Sequence, residues 1–146
     1  MRKHTNRKIR DPWDSINKRT TLVKSQATDL SIAIFAALDA LASGRGNELQ
    51  WSTLASAVNV SLLIAERGIC SESLSIIKLA QDGLIMIKQR YELHGDWRMN
   101  ISYHLKQSII SAIKIYDEQC RIATRAELSD ALREIYKRVQ EGEILV

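Results

Sequence analysis

Apolar residues recur at helical spacing along almost the whole chain after residue 24. Leu30, Ala33, Ile34, Ala37, Leu38 and Leu41 follow the i, i+3, i+4, i+7 rule and predict a first helix over 25–43. Gly44, in Ser43-Gly44-Arg45-Gly46, is a natural left-handed terminator for it. Asn47 with Gln50 three residues later resembles a capping box and opens a second helix. Trp51, Leu54, Ala55, Val58, Leu62 and Ala65 are its buried stripe, and Gly68 ends it.

Ser71 caps a third helix reaching to His94-Gly95, and this one carries two apolar stripes. Leu74, Ile77, Ala80, Leu84, Ile87 and Tyr91 form one; Ile76, Leu79, Gly83 and Met86 form the other. A helix apolar on two sides is either central in a bundle or shared with a second subunit. Gly83 costs roughly 1 kcal/mol against Ala in a helix, which makes sense if another backbone approaches there. Asn100 or Ser102 caps a fourth helix with the stripe Ile101, Leu105, Ile109, Ala112, Ile113, Tyr116 and Cys120. Thr124 and Glu127 make the clearest capping box, opening a last helix that turns Leu128, Ala131, Leu132, Ile135 and Val139 inward. No stretch shows sustained strand alternation. The pattern predicts an all-α bundle of about five helices over 25–146.

Residues 1–24 break this pattern. They form a basic arm in which Asp11-Pro12-Trp13-Asp14 has the signals of a short helix start. Trp13 is then an anchor onto the bundle or, in the sharper reading, a base-stacking aromatic. Charge separates along the same boundary. Residues 1–24 carry eight Lys/Arg against Asp11 and Asp14, a net +6, while the other 122 carry thirteen against fifteen, a net −2. The overall +4 therefore comes from one end, a hint of a tail that meets polyanions.

One proline and six glycines in 146 residues fit long helices, and the core must rest on Leu, Ile, Val and Ala because aromatics are few. The basic start is not followed by an apolar run, so no signal peptide is read, and no run is long enough to span a bilayer. Cys70 and Cys120 sit in apolar helical contexts and read as buried free thiols.

Candidate chemistry is sparse. His4, His94 and His104 with the two cysteines show no CxxC, HxxxH or HExxH spacing, so neither a metal nor another cofactor is expected. Phosphate-loop, dinucleotide and nucleophile-elbow motifs are absent from the sequence, and no catalytic residue is assigned. Leu54-Ala55 with Asn59-Val60-Ser61 resembles a helix-turn-helix turn, with Asn59 the left-handed residue and Ser61 capping a recognition helix. That helix would be apolar where it should be polar, and one continuous helix explains the same residues more simply.

The opening Met1-Arg2-Lys3-His4-Thr5-Asn6-Arg7-Lys8, the Ala36-Ala37-Leu38-Asp39-Ala40 segment and Ala65-Glu66-Arg67-Gly68-Ile69 carry a resemblance, as do Tyr116-Asp117 and Ile122 to Glu127. They resemble a group of small helical proteins encoded in prophages and mobile elements of proteobacteria. The resemblance covers most of the chain loosely. It implies a bacterial cytoplasm and a role in phage regulation or interference with host machinery, and it assigns no site residues.

Two functional expectations follow. In the first, Arg2, Lys3, Arg7, Lys8 and Arg10 contact nucleic-acid phosphates, supported by Lys18 and Arg19. In the second, Ile76, Leu79, Gly83 and Met86 face a host protein or a second copy, and the arm serves solubility. A membrane partner is not expected, because the arm lacks an apolar face.

Overall fold

The computed structural model describes residues 24–142. Most of them lie in five helices: α1 (Lys24–Ala42), α2 (Glu48–Glu66), α3 (Leu74–His94), α4 (Tyr103–Ile122) and α5 (Arg125–Gln140). The chain is an all-α bundle, and no strand occurs among the described residues. The basic arm, and the short helix expected at Asp11-Pro12, lie outside the described residues.

Local chemistry sets the helix ends. Past α1, Gly44 takes a left-handed φ of +77°. Its N–H donates to Leu41 while Arg45 N–H donates to Ala40, so two terminal carbonyls of α1 are satisfied. The Asn47–Gln50 capping box forms in both directions, with Gln50 N–H donating to Asn47 Oδ1 at 3.4 Å and Asn47 N–H to Gln50 Oε1 at 2.8 Å. Ser102 caps α4 and Thr124 caps α5; at Thr124 only the hydroxyl half of the expected box forms. The start of α3 differs from the sequence expectation. Cys70, at φ 59°, is the one left-handed non-glycine residue among those described. A 3-10 turn over Ser71–Ser73 follows it, so α3 begins at Leu74 without a side-chain cap.

The hub of the bundle is α2; of the two readings of the double stripe on α3, a central place or a face shared with a second subunit, the central place falls to α2. α2 packs against α1, α3, α4 and α5, and from Ala57 to Ala65 every residue is buried. The sequence pattern conceals this, because Asn59 and Ser61 interrupt the apolar run yet are themselves buried. Asn59 Oδ1 accepts from Gln81 Nε2 of α3 at 3.1 Å, which satisfies the amide oxygen inside the bundle. The helix runs straight through Asn59, so no helix-turn-helix turn exists there.

Beside this hub, α3 buries Ile77, Ala80, Gly83, Leu84 and Ile87 within the bundle. No other backbone is the near neighbour expected at Gly83; what crowds it is the side chains of Ile109 on α4 and Ile101 in the loop before it. A Cβ placed on it would lie 3.1 Å from Ile109 Cδ1 and 3.4 Å from Ile101 Cδ1. Opposite, α5 is tied to the end of α2 by Arg138, which bonds Glu66 at 2.9 Å and Glu134 at 3.2 Å. Arg67 and Asp130 approach to 4.0 Å beside them.

Candidate functional site

The seven basic residues expected to contact nucleic acid, Arg2, Lys3, Arg7, Lys8, Arg10, Lys18 and Arg19, lie outside the described residues. The second expected set is only partly brought together. Ile76 and Met86 are 37% and 46% exposed and Leu79 is half-buried along one flank of α3. Gly83 points inward onto α4, so the stripe is split and does not form one continuous partner surface.

An aromatic cluster stands where α2, α3 and the α3–α4 loop meet. Trp51 Nε1 donates to the Leu84 carbonyl at 3.0 Å, which satisfies the indole inside the core. Trp97, a loop residue in the sequence pattern, tilts against Trp51 at 5.5 Å and stacks on Tyr91 at 4.0 Å. Lys88 Nζ lies 5.3 Å from the Trp51 ring, within cation–π range. These contacts and the Arg90–Asp96 pair at 3.8 Å pin the loop. Beside it, Ser43, Gly44, Arg98 and Asn100 border a polar cleft of about 430 Å³. Arg98 is its one fixed charge, and the cleft holds no pair of groups for acid–base work.

The other large concavity is apolar. α1 and α5 both lie on α2 without packing extensively on each other, and a groove of about 400 Å³ separates them. Leu30 and Ile34 of α1 form one wall, Leu132 of α5 the other, and Ser52, Ser56 and Ala57 of α2 line the floor. Arg125 donates to Gln26 Oε1 at 3.1 Å, joining the N-terminal ends of α5 and α1. Thr53, also in the groove, donates its hydroxyl to the Leu49 carbonyl one turn back at 2.8 Å, which uses its polar hydrogen internally.

The sequence pattern does not disclose this groove, because it turns Leu132 and Val139 of α5 inward. In the structure Leu132, Tyr136 and Val139 are 49%, 71% and 57% exposed, and only Ala131 of that helix is buried. The α5 stripe spans about 100° of arc, an ordinary width for a core-facing helix, so nothing in the pattern separates its exposed members from its buried one.

The thiols are poor nucleophiles. Burial pushes the Cys120 thiol up, and burial with Glu118 and Glu72 does the same for Cys70. Both resist forming the reactive thiolate. Burial likewise pushes the Tyr116 phenol, bonded to Cys120, far above its usual range. Both Tyr116 and Cys120 thus hold their protons more tightly folded than unfolded. Their contribution is intact below the ordinary values of 9.0 for Cys and 10.0 for Tyr, and it is lost as pH rises past them. Stability should then fall by up to about 1.4 kcal/mol per pH unit for each group. Urea melts between pH 8 and 11 should show this decline, and Tyr116→Phe should remove its upper part.

Among the described residues, no group of three His, Cys, Asp or Glu is placed to hold a metal, and no helix is long and apolar enough to cross a membrane. No family model, no curated protein and no solved structure matches this chain.

Proposed function

We propose that this is a non-enzymatic accessory or regulatory protein, of prophage or mobile-element type, that contacts nucleic acid through its basic arm. The observation that carries this reading is the charge segregation: net +6 in residues 1–24 against net −2 in the rest. Arg2, Lys3, Arg7, Lys8 and Arg10 act as phosphate contacts, and Lys18 and Arg19 support them. Point charges on such a segment neutralise phosphates without reading bases, so binding is expected to be sequence-independent and strongly weakened by salt. Residues 25–146, with thirteen Lys/Arg against fifteen Asp/Glu, sit near electrical balance and add little to that attraction.

The test is binding to mixed-sequence duplex across a salt series. Five neutralised phosphates give a log–log slope of about −4.5. Changing Arg2, Lys3, Arg7, Lys8 and Arg10 together to Gln should flatten that slope and abolish binding at physiological salt. Equal binding by both forms would refute the proposal. A protein–protein role is favoured by a separate observation, the exposure of apolar side chains along α5, and that surface supports a more specific proposal.

A further inference from the structure

We propose that the groove between α1 and α5 is where a second copy of this chain docks, each copy laying the exposed edge of α5 into the other's groove. This does not depend on the nucleic-acid reading, because it uses none of the arm residues.

The two halves of such a contact sit side by side on one surface. The ridge is the α5 edge Leu132, Tyr136 and Val139, three large apolar side chains at helical spacing that are about half or more exposed. The receptacle is the groove of about 400 Å³ that begins at Leu132 itself. Ser52, Ser56 and Ala57 line its base together with the larger, buried Val60 and Tyr116, so the groove offers a largely apolar bed to side chains from outside. A patch carrying both a ridge and its adjoining groove is self-complementary under a two-fold axis, because each element finds its counterpart on the other copy. The ridge, the groove walls and Leu49 at the lip, 71% exposed, present apolar surface from three helices to that second copy.

Charge matches the same arrangement. Beyond the apolar edge, the α5 surface carries Arg133 and Lys137. Across the groove, Asp29 precedes the wall residue Leu30 and Glu48 precedes Leu49. Asp29, Glu48 and Lys137 enter no salt bridge among the described residues, whereas Arg133 is paired with Asp130 at 2.9 Å. Lys137 beside the apolar ridge is attracted to the acidic lip formed by Asp29 and Glu48, and the two-fold makes the contact twice.

Sedimentation equilibrium on the full chain, without nucleic acid, should give twice the 16.6 kDa chain mass with a dissociation constant in the micromolar range. Tyr136→Glu should weaken association at least tenfold while leaving the thermal melt unchanged at low concentration, since that side chain is mostly in solvent. Lys137→Glu should weaken it several-fold, and adding Asp29→Lys and Glu48→Lys should restore it. A photoreactive benzoylphenylalanine in place of Leu49 should crosslink two chains to each other. Three results would each overturn the proposal. One is a monomer throughout the micromolar range. The second is a dimer unchanged by Tyr136→Glu but lost on Met86→Asp. The third is crosslinking confined within one chain, which would make the chain's own N-terminal segment the occupant.

Discussion

Leu54→Ala is expected to cost about 3–5 kcal/mol of unfolding free energy, near the upper end for a core truncation. Leu54 is fully buried on α2, the helix against which the other four pack. The loss has two parts: the transfer free energy of the removed methyl groups, and a cavity that four fixed neighbours cannot close by shifting. The matched control is Met86→Ala on α3. That side chain is 46% exposed, so its truncation should cost under about 1 kcal/mol. Denaturant melts of the two variants compare the helices directly. Were Met86→Ala the more damaging, α3 and not α2 would be the hub.

That contrast also locates what the sequence can and cannot reveal. Helix number and most helix ends are legible because they are local, the uncapped start of α3 being the exception. Gly44, the Asn47–Gln50 box and Thr124 act on backbone groups within a few residues, and each does so in the structure. Which helix is surrounded is a non-local property. Burial on α2 includes Asn59 and Ser61, whose polarity argues for solvent. Gln81 is drawn from a different helix to satisfy Asn59, and nothing near residue 59 announces it. The reverse error occurs on α5. Its apolar stripe is strong, but a stripe reports only that a face wants cover, not that the same chain supplies it. Leu132 and Val139 read as core on that ground, and the groove beside them leaves no trace in the pattern. The arm is legible as charge, and charge places no atoms, so its proposed role rests on sequence and on the salt experiment.

The same blindness to non-local partners explains Gln119, whose replacement by Glu should be the most pH-sensitive change in the protein. Gln119 is fully buried on α4. Its Nε2 donates to the carbonyls of Ser61 and Ile69, both at 3.1 Å, and so ties α4 to the end of α2 and the turn after it. Those two residues lie 58 and 50 positions away in sequence, so no helical period points to them. In Gln119→Glu a carboxylate would face two carbonyl oxygens with no donor between them, buried and unpaired. Such a charge is expected to cost about 3–5 kcal/mol at neutral pH. Protonation relieves it, because a neutral carboxyl can donate to one carbonyl. The folded form therefore holds its proton above the ordinary Glu pKa of about 4.3, and stability is retained below that value. It is lost as pH rises, by up to about 1.4 kcal/mol per unit. Gln119→Ala removes the same two hydrogen bonds and leaves a cavity, but introduces nothing that titrates. Urea melts of both variants from pH 4 to 8, each read against the parent chain, therefore separate the two effects. A stability deficit that deepens with pH for Gln119→Glu and stays constant for Gln119→Ala supports the buried brace. Parallel profiles would mean that the introduced carboxylate reaches solvent and that α4 is held by apolar packing alone.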